Sequence, residues 1–295
     1  MQRLDIVWDV YLENSLKKQA REKRGQTSNV ICALDDTKIP GNWNAFKSSD
    51  TNKGQLAVYL ADRLLTRCTR LAARTTLVST RGENVIIDGP SNHSRHVAPC
   101  NQEEADTRLF LHAMEAAREG LSKLMVKTVD TDVVVIAISV YRRLGVEELW
   151  VEFGAGMHHR FIPVHEIAST LGEDRCRALP GFHSFTGCDQ VSSFAYKSKT
   201  TAWHCWNAFD EVTSAFRALS TPMNKAQLMN HIPTLERFVV LLYDRTCPES
   251  SVDLAGRYLY CHKKDPLKIS LQRQMLSVYI LSAPPISAAM NGDSA

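Results

Sequence analysis

The chain has no long apolar run, no closely paired cysteines and no dominant charge, and each absence excludes a class of protein. No stretch approaches the about 18–20 apolar residues that a membrane-spanning helix requires. None of the eight cysteines forms a C-x-x-C pair, which disfavours a structural zinc site. The formal net charge is +3, too small to indicate a nucleic-acid partner by itself.

The first ten residues, MQRLDIVWDV, have neither the charged n-region nor the long apolar h-region of a secretory signal. Together with the spread-out cysteines, which are typical of reduced thiols, this predicts an intracellular protein, cytosolic or nuclear. The length of 295 residues fits one large domain or one domain with an appendage. Hydrophobic residues make up 44% of the chain, which is enough for a substantial core.

Hydrophobic periodicity predicts short strands that alternate with helices. The predicted strands are 4–8, 75–80, 84–89, 123–128, 148–153 and 160–164. The predicted helices are 55–68, 102–119, about 131 to Leu144, 165–171, 200–219 and 233–245. This order indicates an α/β fold with a mostly parallel central sheet flanked by helices, followed by a helical C-terminal region. The polar segment 35–54 is predicted to be a long loop, and the tail 263–295 to be irregular and disordered.

Acidic residues concentrate where the predicted strands end and the predicted helices begin. They are Asp9, Glu103, Glu104, Asp106, Asp130, Asp132 and Asp189. Ligands of open parallel sheets bind beyond the carboxyl ends of strands, and massed carboxylates attract hard divalent cations such as Mg²⁺. Taken singly, each cluster is more often helix-dipole complementation or a turn. Taken together, they predict one divalent-metal site.

Other polar and aromatic residues have simpler interpretations. Asp5 alternates with Asp9 near the first strand and is expected on the surface. Trp203 and Trp206, three residues apart, are expected in the core rather than as stacking platforms for bases.

The order of the acidic motifs resembles the flap-endonuclease/XPG branch of the PIN-like nucleases. That superfamily carries E-A-E, T-x-D-x-D and G-S-D in this order, and the chain has E-A-D, T-V-D-T-D and G-C-D. Its V-W-D-V-Y is similar to the strand that ends in an acid in those enzymes. The stretches APCNQEEADTRLFLHA, VKTVDTDVVVIAIS, LPGFHSFTGCDQVSSF and LERFVVLLYDR also resemble an animal, transposon-associated branch of PIN-like proteins, over most of residues 4–245.

The resemblance implies a PIN-like nuclease domain over residues 1–190 and an extension similar to a helix-turn-helix over 191–262. It implies hydrolysis of DNA or RNA phosphodiesters with Mg²⁺ or Mn²⁺ as cofactor. The implied metal ligands are Asp9, Glu104, Asp106, Asp130, Asp132 and Asp189. Lys17 and Arg21 are the implied catalytic cations beside the phosphate, and Lys197 and Lys199 the implied nucleic-acid contacts.

Two departures from the superfamily keep a second function open. The superfamily has a further strand with a metal-site Asp before the counterpart of Asp9, so we expect an N-terminally truncated nuclease with weak or lost activity. The stretch that matches its G-x-G turn, residues 195–200, has both glycines replaced, which argues against close approach of the backbone to a phosphate. Lys197 and Lys199 fit solvated surface lysines equally well. The alternative is a catalytically inactive PIN-like scaffold that binds nucleic acid or protein.

Overall fold

The computed structural model describes residues 2–11, 30–67, 75–89, 97–100, 104–188 and 193–261. The chain divides into two compact units, residues 1–124 and residues 125–295. Among the described residues, no helix is both long and apolar enough to cross a membrane. The predicted domain boundaries near 190 and 262 stay a prediction, and the predicted tail lies outside the described residues.

The first unit contains a small mixed sheet and three described helices. Strand β1 (Gln2–Ile6) runs parallel to β2 (Thr75–Arg81), and β2 runs antiparallel to β3 (Asn84–Asp88). Gly82, with a φ of 61°, lies in the tight turn that joins β2 to β3 and adopts the left-handed conformation that glycine tolerates best. The described helices of this unit are α1 (Trp43–Ser48), α2 (Asp50–Arg67) and α3 (Ala105–Arg118).

The second unit contains a second three-stranded sheet and most of the helices. The sheet has the order β4 (Lys123–Thr128), β5 (Glu148–Phe153), β6 (Arg160–Pro163), with β5 and β6 antiparallel. The described helices are α4 (Thr131–Leu144), α5 (Val164–Leu171), α6 (Glu173–Phe185), α7 (Lys199–Ala208), α8 (Thr213–Leu219), α9 (Lys225–Met229), α10 (Ile232–Tyr243) and α11 (Val252–Cys261).

The predicted α/β class is confirmed, whereas the predicted parallel central sheet is not. The described residues form two separate mixed sheets. The predicted loop over 35–54 is wrong in its second half, because α1 and α2 lie there. Its polar residues cap helices: the Asn42 side chain accepts a hydrogen bond of 3.0 Å from the Ala45 N–H at the start of α1.

Helix α6 is an element that the periodicity did not predict, because Pro180 and Gly181 interrupt its pattern. Gly181 lies where the backbones of α6 and α8 are in close contact: a Cβ there would lie 2.0 Å from the Phe216 carbonyl oxygen. The Gly181 N–H donates to the Ser220 hydroxyl at 2.9 Å. Trp206 of α7 is fully buried, with its ring centroid 4.8 Å from that of Phe182, which confirms the core prediction for this tryptophan. The position of α6 is therefore fixed by packing on two sides.

Helix α3 is attached to β1 by buried charges. The Asp5 carboxylate accepts a hydrogen bond of 2.7 Å from Arg3 Nε, and its second oxygen lies 2.8 Å from His112 Nδ1. Arg3 also pairs with Glu119 at 2.9 Å, and the Arg3 and His112 side chains are 2% exposed. Asp5 was expected on the surface, but its side chain faces α3 and is largely enclosed by these partners.

A second buried cation fixes the same helix one turn earlier. Arg108 is fully buried and donates to the backbone carbonyls of Gly82, Glu83 and Asn84 at the β2–β3 turn. Burial lowers the pKa of Arg108, opposed by nearby Cys100 and Glu83. Arg108 and His112 are four residues apart and therefore share one helix face, which is the face that meets the sheet.

Replacing Asp5 with Asn should lower the free energy of unfolding by about 3 kcal/mol at neutral pH, because it removes one of the two carboxylates that pair with buried Arg3 and the acceptor that faces His112. Burial raises the pKa of Asp5, but hydrogen bonds from His112 and Arg3 outweigh this and hold it below 3.8. The stabilisation of the folded state by this carboxylate is therefore fully present above its ordinary pKa of 3.8, and it is lost as the pH falls through the lowered pKa of the folded state. Chemical denaturation at several pH values should show the difference between wild type and Asp5→Asn shrinking in acid.

The matched control is Asp62→Asn, which breaks the exposed ion pair between Asp62 and Arg81 in the same unit. It should change the free energy of unfolding by less than about 1 kcal/mol. Equal losses in the two variants would contradict the structural role of the buried pair.

Candidate metal centre

Asp130 and Asp132 lie in the first turn of α4, directly after β4. Asp130 is the N-cap, and its Oδ1 accepts a hydrogen bond of 2.8 Å from the Asp132 N–H. The Asp130 N–H donates to the Thr128 hydroxyl at 3.0 Å, so short-range bonds fix the junction between strand and helix. Both carboxylates therefore lie at the positive end of α4, where anionic side chains are stabilised.

The apolar run that follows Asp132 fits a strand or a helix by composition alone. Its caps favour the helix: Asp130 satisfies an amide at the start, and Gly145 ends α4 in the left-handed conformation with a φ of 67°. Val133, Ile136 and Val140 recur at helical spacing and are buried. The predicted helix up to Leu144 is confirmed.

His183 of α6 contacts the second of these aspartates. Its Nε2 lies 2.8 Å from Asp132 Oδ1 and donates the hydrogen bond when that nitrogen carries the proton. The His183 side chain is 9% exposed and that of Asp132 is 37% exposed, so the bond joins a buried ring to a carboxylate that solvent reaches. The two residues are 51 positions apart. No short motif could have revealed the pair.

Lys199, at the start of α7, reaches back to the C-terminal end of α6. Its ammonium donates to the His183 carbonyl at 2.8 Å, to the Thr186 hydroxyl at 3.2 Å and to the Gly187 carbonyl. Burial lowers the pKa of Lys199, and electrostatic interactions with Cys188 and Asp132 oppose this. The ammonium predicted to contact phosphate thus already has three acceptors within its own chain, and its contact with nucleic acid stays a prediction.

The glycine of the G-C-D motif is required by the backbone. Gly187 has a φ of 102°, and a Cβ at this position would lie 2.6 Å from Ser193 Cα. The backbone at Gly187 and that at Ser193 therefore lie in close contact. Asp189, Lys17 and Arg21 lie outside the described residues, so their predicted roles stay predictions.

Three further predicted ligands, Asp9, Glu104 and Asp106, lie at or against the start of α3 in the first unit. Asp9 Oδ1 accepts a hydrogen bond of 2.9 Å from the Ala105 N–H. Glu104 is the N-cap residue of α3, but its side chain makes no capping hydrogen bond, and Asp106 follows in the first turn. Asp9 thus caps α3 from a distant part of the sequence.

The turn before α7 contains a residue other than glycine in the left-handed conformation. Tyr196 has a φ of 59° and is 87% exposed. Lys197 Nζ lies 5.0 Å from the centre of the Tyr243 ring, a cation–π arrangement. Lys197 is therefore held near the surface of the second unit, and its predicted contact with nucleic acid is not tested by this geometry.

The described acids fit a divalent cation by the chemistry of their donors. Carboxylate oxygens are the ligands that Mg²⁺ and Mn²⁺ prefer, and Mg²⁺ typically takes one or two carboxylates and keeps several waters. Among the described residues, no three His, Cys, Asp or Glu side chains are grouped so that they could hold an ion. The described part of the second unit thus offers the pair Asp130 and Asp132.

Comparisons of the chain with protein-family models, with curated proteins and with solved structures found no match.

Replacing Gly187 with Ala should lower the free energy of unfolding by about 2–3 kcal/mol, through left-handed strain and the clash with Ser193. The matched control is Gly256→Ala in α11, where an added Cβ meets no atom within 4 Å. That change should be neutral or stabilise by up to about 1 kcal/mol, because alanine is the better helix former. Urea denaturation of both variants measures the difference; two equally stable proteins would contradict the described turn.

Proposed function

We propose that the chain is a divalent-metal-dependent phosphodiesterase of the PIN-like nuclease type that acts on DNA or RNA. The observation that carries this proposal is the pair Asp130 and Asp132 at the start of α4, with Asp132 hydrogen-bonded to buried His183. Mg²⁺ is usually bound through one or two carboxylates, and carboxylates that bind a metal are themselves held by hydrogen bonds, as Asp132 is by His183.

The charge balance of this pair favours a cation. The helix start contributes roughly half a positive charge, whereas Asp130 and Asp132 contribute two full negative charges when ionised. The capping bond to the Asp132 N–H uses Asp130 Oδ1 and holds that carboxylate beside its neighbour. The two carboxylates and the helix start together therefore carry a net negative charge, which the ammonium of Lys199 offsets in part.

A bound Mg²⁺ or Mn²⁺ would supply an acidified water and stabilise charge on a phosphodiester oxygen. The residues of the chain have simpler tasks: Asp130 and Asp132 hold the ion, and His183 restrains the second carboxylate. The positively charged Lys197 is proposed to meet the nucleic-acid backbone. The predicted ligands Asp9, Glu104, Asp106 and Asp189, and the predicted catalytic cations Lys17 and Arg21, belong to the same proposal.

The second candidate is a catalytically inactive PIN-like scaffold that binds nucleic acid or protein. The observation that favours it is that polar atoms of the site already form hydrogen bonds within the chain. Asp130 Oδ1 and Asp132 Oδ1 both accept protein hydrogen bonds, and the Lys199 ammonium has three protein acceptors. The two candidates differ in one property, which is turnover that depends on a divalent metal.

A nuclease assay on single-stranded, flap and hairpin substrates tests the enzyme proposal. Cleavage should require Mg²⁺ or Mn²⁺ and should stop when a chelator is added. Asp132→Asn should lower the rate at least about 100-fold, because the amide keeps the shape but removes the charge that binds the metal.

The matched control is Asp253→Asn. Asp253 occupies the same second helical position in α11 that Asp132 occupies in α4. It should cleave at the wild-type rate. A folded Asp132→Asn variant with the wild-type rate, or an inactive wild type, would contradict the enzyme proposal, and the latter result with intact nucleic-acid binding would favour the scaffold.

A further inference from the structure

We propose that His183 is a positioning residue, which holds the Asp132 carboxylate in the orientation that binds a divalent metal. The inference rests on the proposed function and deepens it. His183 lies outside the acidic motifs that predicted the site. In the structure its ring, on α6, contacts the Asp132 carboxylate of α4.

The geometry of the contact is that of a supporting hydrogen bond. His183 Nε2 and Asp132 Oδ1 are 2.8 Å apart, and the ring is nearly buried whereas the carboxylate is not. A buried donor has few alternative positions, so it restricts the rotation of the more exposed Asp132 side chain. Hydrogen bonds of this kind to a metal-binding carboxylate fix its orientation and typically change metal affinity 10–100-fold.

The placement of His183 is itself supported from both sides. Gly181, two residues earlier, lies against the α8 backbone with no space for a side chain. Lys199 Nζ donates to the backbone carbonyl of His183 and to the carbonyl of Gly187, four residues later. The helix end that carries the ring therefore cannot shift without breaking these contacts.

The alternative is a purely structural role, in which His183 only links α6 to α4. A structural link would matter for stability but not for metal affinity in a folded protein. A positioning role makes the opposite prediction: metal affinity falls in a folded variant, and the fall disappears when Asp132 itself is removed.

The experiment measures the dissociation constant of Mn²⁺ for the full chain by electron paramagnetic resonance of the free ion, with circular dichroism to confirm folding. His183→Met, which removes the donor, should weaken Mn²⁺ binding at least about tenfold. His183→Gln, whose amide nitrogen lies at a similar distance along the side chain, should stay within about threefold of wild type. His204→Leu, at an exposed histidine of the same unit, should bind as wild type does.

A double-mutant cycle separates positioning from general structure. In an Asp132→Asn background, His183→Met should change the dissociation constant less than about twofold, because its partner carboxylate is gone. An undiminished tenfold effect there would overturn the positioning role. If His183→Met does not fold, ¹⁵N-histidine spectra of the wild type decide instead: Mg²⁺ should shift the His183 Nε2 resonance, and an unmoved resonance would overturn the inference.

The outcomes separate this inference from the proposed function. If Asp132→Asn weakens Mn²⁺ binding but folded His183→Met binds as wild type does, the metal centre stands and the positioning role is wrong. If neither Asp130→Asn nor Asp132→Asn alters Mn²⁺ binding, the metal centre is wrong and the positioning role falls with it.

Discussion

A helix that begins beside a strand exposes its first amide groups, and in both units of the chain a carboxylate meets them. Asp9 accepts from the Ala105 N–H at the start of α3, and Asp130 accepts from the Asp132 N–H at the start of α4. Each of these helices is 14 residues long and amphipathic. Because the first N–H groups of a helix have no acceptor within it, an acceptor at the N-terminus stabilises the helix. The acidic residues therefore have a structural role before any metal is considered.

The proposed metal binding would give the same carboxylates a second role, which is favoured because other polar groups hold the helices rigidly. In the first unit, buried Arg108 and His112 fix α3 to the sheet. In the second unit, His183 fixes the Asp132 carboxylate, while Lys199 fixes the end of the helix that carries His183. A carboxylate restrained in this way loses little entropy when it binds an ion, which is what a preorganised cation site requires. Capping and metal binding are thus compatible uses of one residue.

Local signals in the sequence predicted the strands and helices next to the site. The features that the sequence did not predict depend on contacts between distant residues. The apolar run ended by Gly145 was sufficient for α4, and the alternation of Glu148–Phe153 for β5. Helix α6 was not predicted because Pro180 and Gly181 are helix breakers, whose cost is offset by packing against α7 and α8. His183 and Asp5 were not recognised as site and core residues, since both acquire their roles from partners more than 50 positions away.

The central claim is that Asp130 and Asp132 bind a divalent cation. Cleavage of the backbone by hydroxyl radicals from Fe²⁺, added with ascorbate in place of Mg²⁺, tests it most directly because the cuts mark where the ion binds. The account predicts cuts around Asp130 and Asp132 and beside Gly187. They should be suppressed by excess Mg²⁺ and absent from the double variant Asp130→Asn/Asp132→Asn. Cuts confined to other parts of the chain, or an unchanged pattern in the double variant, would contradict it.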